Sequence, residues 1–152
     1  MKRNENLVPL SRDHHFGLLC SWKIREGVKN EVCYERIKNY INYFWEHHLR
    51  NHFYIEDHVL PHLGEKDLER KMEDDHHQIE KLVEEINQSN EKNLLLNFAD
   101  ALLNHIRFEE RTIFPKYESS LSKIELNEIG SKINEMYQAN KDDYPDQFWR
   151  AS

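Results

Sequence analysis

Two stretches of the chain, NHFYIEDHVLP at residues 51–61 and NHIRFEERTIFP at residues 104–115, each carry a Glu four residues after a His. Residues four apart on an α-helix lie one above the other on the same face. His52 with Glu56, and His105 with Glu109, are therefore expected to present an imidazole and a carboxylate together. Both pairs fall on stripes of apolar residues, so they are expected to point into a core. Burying a carboxylate without a partner is costly, and two in one core repel each other. A shared cation resolves both problems.

Ten His occur in 152 residues, gathered in four clusters. In the third cluster His76 aligns with Met72, Ile79 and Val83, whereas His77 aligns with Glu80, Lys81 and Glu84, which selects His76 for the interior. In the first, His15 aligns with Leu18, Leu19 and Trp22, and His14 with Gly17, Leu18 and Ser21, which favours His15 over His14. The expected ligand set is then His15, His52, Glu56, His76, His105 and Glu109. If both Glu bridge two metals, each metal has two His, and a solvent-derived oxygen joins the pair, each metal has five ligands and one open position for a small molecule. A single Zn needs only four ligands and leaves part of the set unexplained.

A lone His on an apolar face is ordinarily a hydrogen-bonded core residue; it is the joint occurrence of four, two with a Glu one turn away, that points to metal. His48, one turn before His52, is read as core packing, or else as a ligand or a donor beside the site. His14, His47, His58, His62 and His77 are read as surface or helix-end residues, and Glu80 and Glu110 as solvated charges. Trp22, Trp45, Phe98, Phe108 and Phe114 are read as core.

These residues require long helices, and the composition supplies them. Four Gly and four Pro punctuate the chain, too few for many tight turns. The expected helices run from an N-cap at Ser11 to about Gly27, from about Val32 to Leu60, from about Lys66 to Asn87, and from about Glu91 to Tyr117, with Pro115 marking the last end. Short connections give an all-α, antiparallel up-down-up-down four-helix bundle. A shorter segment with Ile124, Leu126, Ile129, Ile133 and Met136 folds back as an additional C-terminal helix. Residues 1–140 form one domain, and residues 141–152 form a loose tail whose Phe148 and Trp149 have no assigned docking place. The chain also echoes itself: RDHHFGLL near the start resembles DDHHQIEKL before the third apolar stripe, so two helical hairpins each offer a DHH helix and then an H-x-x-x-E helix.

The formal net charge of −7, without a block of Lys or Arg, argues against nucleic acid and anionic membrane as partners. No apolar run approaches the length of a membrane span, and no secretory leader is visible. Cys20 and Cys33 form no C-x-x-C pair and suit a reducing compartment. A cytoplasmic location is expected.

In combination, the order H…H-x-x-x-E…H…H-x-x-x-E over roughly residues 10–118 resembles the hemerythrin-like, or HHE cation-binding, domains. The run HIRFEERTIFP looks especially like the fourth helix of that family. The resemblance implies a non-haem di-iron centre, oxo- or hydroxo-bridged, with Zn or another divalent metal as a substitute, and ligands at His15, His52, Glu56, His76, His105 and Glu109. Oxygen carriers of the family have H-x-x-x-H on the third helix and H-x-x-x-x-D on the fourth; here those positions hold Glu80 and Glu110. The pattern is more similar to members linked to iron sensing, peroxide or nitric oxide handling, and repair of iron centres. The implied function is binding and reduction of a small oxidant such as dioxygen, hydrogen peroxide or nitric oxide, or service in iron-centre repair. The alternative is a non-catalytic iron or oxygen sensor or an iron store, with a structural Zn bundle as a third reading.

Overall fold

A computed structural model describes residues 2–150, and its regular elements are all helical. Five helices follow one another. α1 spans Val8–Lys29. α2 covers residues 34–59, as an α segment Tyr34–Phe44, a π-helical turn Trp45–Leu49 and an α segment Arg50–Val59. α3 spans Lys66–Asn87. α4 covers residues 92–120, as Lys92–Phe108, a π turn Glu109–Ile113 and Phe114–Ser120. α5 spans Lys123–Met136 and opens with a capping box, in which Ser122 Oγ accepts from the Glu125 N–H and Glu125 accepts from the Ser122 N–H.

Two boundaries differ from the sequence expectation. α1 begins before Ser11, with Pro9 in its first turn, where a missing N–H leaves nothing unpaired. Ser11 is not a cap; its hydroxyl donates to Glu110 at 2.7 Å. Pro115 does not end α4. It falls in the first turn after a π turn, so the helix continues to Ser120 around the lost N–H.

The π turn in α2 also changes which side chains face inward. Buried positions before it are Ile37, Tyr40, Ile41 and Phe44, and those after it are Leu49, His52, Phe53, Ile55 and Glu56. The step from Phe44 to Leu49 is the wide step of a π turn. Trp45 and His48, aligned with the core by a regular period, are consequently only half-buried.

The interior consists of two apolar clusters. One gathers Cys20, Ile24, Ile37, Ile41, Phe44, Ile79, Val83, Phe98 and Leu102 among others. The second holds Leu7, Leu10, Ile55, Met72, Ile113, Phe114, Tyr117, Ile129 and Ile133. Along α1 and α3 the chain passes from the second cluster to the first, and along α2 and α4 from the first to the second. α4 lies against α1 and α3, and α2 touches α1, α3 and α4, while α5 packs on the Arg50–Val59 segment of α2. In each of the first four helices the buried His or Glu falls where the chain crosses between clusters.

The C-terminal segment is not a loose tail. Phe148 is fully buried in the first cluster, its ring seated against Gly27 so closely that a Cβ there would lie 2.8 Å from the ring. Trp149 covers the Lys23 ammonium at 4.0 Å, a cation–π contact. Lys23 also pairs with Asp142, and Arg36 with Asp146 at 2.6 Å. The aromatic residues of DDYPDQFWRAS thus complete the core over the end of the α1/α2 hairpin.

Candidate metal centre

Between the apolar clusters, His14, His52, His76, His105, Glu56 and Glu109 are all buried. Their donor atoms form two overlapping quartets, His14, His52, Glu56 and Glu109, and Glu56, His76, His105 and Glu109, each with atoms within 4.8 Å of one another. The two carboxylates belong to both quartets. Glu109 Oε1 lies 3.0 Å from Nε2 of both His14 and His105. Glu56 approaches Nε2 of His52 and of His76 at 3.2 Å through its two oxygens.

The opposite nitrogen of every ring meets a carboxylate. His52 Nδ1 lies 2.9 Å from Asp13, His76 Nδ1 2.9 Å from Asp57, His105 Nδ1 2.9 Å from Asp75, and His14 Nδ1 2.6 Å from Glu110. An ionised carboxylate only accepts, so each ring donates its Nδ1–H outward. A neutral ring then has a lone pair on Nε2, directed at the centre. The pattern has an internal symmetry: Asp13 and Asp75 support the His of the next helix within their own hairpin, while Asp57 and Glu110, each directly after a central Glu, support the His of the other hairpin.

The centre is therefore a cluster of acceptors. Nε2 of His76 and of His105 face each other at 3.2 Å. Both oxygens of Glu56, Glu109 Oε2 and His52 Nε2 are buried without a hydrogen-bond partner, so the 3.2 Å approach of His52 to Glu56 is proximity without hydrogen-bond geometry. Buried polar atoms left in this way are costly, and cations or protons remove the cost. These residues fit a metal pair.

In the metal-free protein, protons answer the same deficit. Burial alone would push His76 down, but the Asp57 and Glu56 carboxylates outweigh it and raise it to about 9. Burial likewise opposes His105, which Glu109 and Asp75 raise to about 10. His52 and His14 are raised against burial by their carboxylate neighbours, and Glu109, despite burial, is held well below its ordinary value by His105. Aromatic rings fix the imidazole planes: Phe53 stacks on His76 at 4.0 Å, and Phe114 lies parallel to His14 at 5.3 Å.

Five of the six expected residues, His52, Glu56, His76, His105 and Glu109, come together. His15 does not. It is exposed, and His14 occupies the place expected for it. α1 meets α4 through small residues: a Cβ on Gly17 would lie 2.6 Å from Ile106, and Ser21 Oγ donates to the Ala99 carbonyl at 2.8 Å. Leu18 and Trp22, which align with His15, stay 40% and 48% exposed. The echo held the better signal, because aligning RDHH with DDHH pairs His14 with His76 and Asp13 with Asp75. Glu110 is also corrected: it is part-buried and accepts from His14 and Ser11, whereas Glu80 is exposed as expected. His48 lines a small enclosed cavity beside His14 and His52, its Nδ1 unpartnered.

Fold and centre together define a class, an all-helical protein with a buried His and Glu cluster able to hold metal. The model of the Hemerythrin HHE cation binding domain matches residues 14–117, and the chain belongs to that family. No curated protein and no solved structure matches it.

Proposed function

We propose that this protein is a non-haem di-iron hemerythrin-like protein that binds and reduces a small oxidant, dioxygen, hydrogen peroxide or nitric oxide, or serves the repair of iron centres. The observation that carries the reading is the pair of overlapping quartets sharing both carboxylates. Two cations, each facing two imidazoles and both facing Glu56 and Glu109, use every buried donor residue; one cation leaves two of the four imidazoles unanswered. His14 and His52 would hold one iron, His76 and His105 the other. All-imidazole and carboxylate donors suit iron, with Zn as a competitor. The alternation of α1 to α4 between the apolar clusters supports an antiparallel up-down-up-down four-helix bundle around the centre.

Iron, when bound, supplies electron transfer and an open coordination position. The chain's own residues do the rest. Asp13, Asp57, Asp75 and Glu110 hold the Nδ1 protons and so direct all four Nε2 atoms inward. Phe53, Phe114 and the two apolar clusters exclude bulk water. The cavity lined by Phe44, Leu102, Ile106 and His48 has room for about one water-sized molecule, a volume of ≈ 10 Å³. Two free cysteines, and no helix among the described residues long and apolar enough to cross a membrane, support a cytoplasmic site of action.

Elemental analysis of protein from iron-replete cells, followed by oxidant addition to the Fe(II) form under anaerobic conditions, tests the reading. About two irons per chain and an oxidant-dependent change in the visible spectrum are expected. Stoichiometric Zn without iron sinks the di-iron reading; two irons without any spectral response leave the sensor or store instead.

A further inference from the structure

The four outer carboxylates are equivalent in sequence placement and unequal in support. On the His14/His52 side both are held by the chain termini. Arg3 donates to Glu110 Oε1 at 3.2 Å and to its main-chain oxygen at 2.9 Å, and Ser11 donates to Oε2 at 2.7 Å. Asn140 donates through Nδ2 to Asp13 Oδ1 at 2.8 Å, while Asp13 Oδ2 accepts from His52. The straps are themselves anchored, the first by Arg3 to Glu118 at 2.6 Å, the second by Lys23 to Asp142 and by the buried Phe148.

The His76/His105 side has no such backing. The side chain of Asp57 is 47% exposed, and His76 is its only hydrogen-bond partner among the described residues. Asp75 has, besides His105, only Lys71 among the described residues, whose side chain is half exposed, at 3.2 Å. The surface differs in the same sense at one pair of carboxylates, the side chain of Asp13 being 8% exposed against 47% for Asp57, whereas Glu110, at 30%, is more exposed than Asp75, at 17%. A groove of ≈ 560 Å³ reaches Asp57 and His76, and another of ≈ 360 Å³ reaches Asp75 and His105. The cavity against His14 and His52, which also touches His105, has only ≈ 10 Å³ and is lined by Asn140.

We propose that the two metal positions exchange unequally: the His76/His105 position loads and releases first, the His14/His52 position is retained, and Arg3 and Asn140 are positioning residues that enforce retention through Glu110 and Asp13. This inference rests on the two-metal reading above. For a metal to leave, an imidazole must turn away, and its Nδ1–H must leave its carboxylate. Where water reaches that carboxylate, it replaces the lost hydrogen bond at little cost. Where the carboxylate is already held by further donors, as Glu110 is by Arg3 and Ser11 and Asp13 by Asn140, it stays in place and the ring must give up its bond without a substitute. Outer partners of this kind alter metal affinity by about 10- to 100-fold.

The experiment uses the full chain loaded anaerobically with Fe(II) to saturation, counted by elemental analysis, then mixed with excess ferrous chelator while release is followed optically. Two phases of one iron each are expected, separated by about tenfold or more in rate. H76A should leave only the slow phase and H14A only the fast one. N140A and R3A should each speed the slow phase by about tenfold and leave the fast phase unchanged, since a hydrogen bond to a charged group is worth about one such factor; N140Q should restore part of the retention. K71A should leave the slow phase alone. A general loosening of the fold would speed both phases together, so the split separates positioning from mere stability, and the strap variants carry the assignment if H14A does not fold. Two irons leaving in a single phase, or strap variants that speed only the fast phase, overturn this inference alone. Saturation at one iron or none overturns the two-metal reading and this inference with it.

Discussion

His52 donates its Nδ1–H to Asp13 across 2.9 Å, and that contact fixes which nitrogen of the ring faces the centre. The same relationship recurs at His14, His76 and His105 with three other carboxylates. Four rings oriented in this way surround two buried carboxylates, an assembly whose two overlapping His and Glu groups are able to hold metal.

The choice between adjacent histidines in the first cluster is directly testable. H14A should lower the bound metal from two to about one per chain, because it removes a donor of one quartet and leaves the other complete. H15A should keep both. Metal content of the purified variants, measured by elemental analysis against folded helical signal, decides it. Loss of metal in H15A with retention in H14A would return the ligand role to His15.

Metal removal should cost stability. A ligand that binds only the folded state at about 1,000 times its Kd contributes about 4 kcal/mol. In a domain of this length that amounts to a rise in Tm of about 8–16 °C. Thermal melts of chelator-treated and iron-loaded protein compare the two. Identical melting temperatures at saturating metal would remove the coupling of centre to fold.

The pH dependence of the metal-free protein has a definite sign. His76 and His105 titrate near 9 and 10 in the folded protein, above the ordinary imidazole value of 6.5. The stability they contribute is complete below about pH 6.5 and is lost as pH rises through 9 and 10. Urea unfolding of the metal-free chain should show falling stability over that window. Metal affinity should rise over the same window, since each bound metal displaces protons from Nε2. A metal-free protein whose stability is flat or increases from pH 7 to 10 would contradict the protonated cluster.

The C-terminal segment should act as part of the core. F148A removes a fully buried ring and is expected to destabilise the fold by about 3–5 kcal/mol. G27A should also destabilise, by about 1–3 kcal/mol, because the new Cβ meets that ring and Ile37. Urea titrations of both variants test this. Wild-type stability in F148A would make the segment the loose tail expected from the sequence.

Much of this protein is legible in its residues. The third helix, Lys66–Asn87, lies where its apolar period put it. The two H-x-x-x-E turns read correctly because the helix repeat alone brings residues four apart together. His76 was separable from His77 because an apolar and a charged face differ sharply there. On the first helix the buried His is His14, not His15, for a physical reason: the side that meets α4 carries Gly17 and Ser21, whose smallness permits close approach, while Leu18 and Trp22 remain outside. Hydrophobicity marks a buried face poorly where close approach decides the packing. Trp45 and His48 are only half-buried because a π turn shifts the register of α2, and no residue type announces such a turn.

Helices, the two buried carboxylates and three of the four buried imidazoles are legible along the chain because they follow from local periodicity. The burial of His14, the outer carboxylates and the burial of Phe148 emerge only on folding. Each depends on contacts between residues far apart in the chain, such as Glu110 with His14 or Asn140 with Asp13, whose pairing no local repeat encodes.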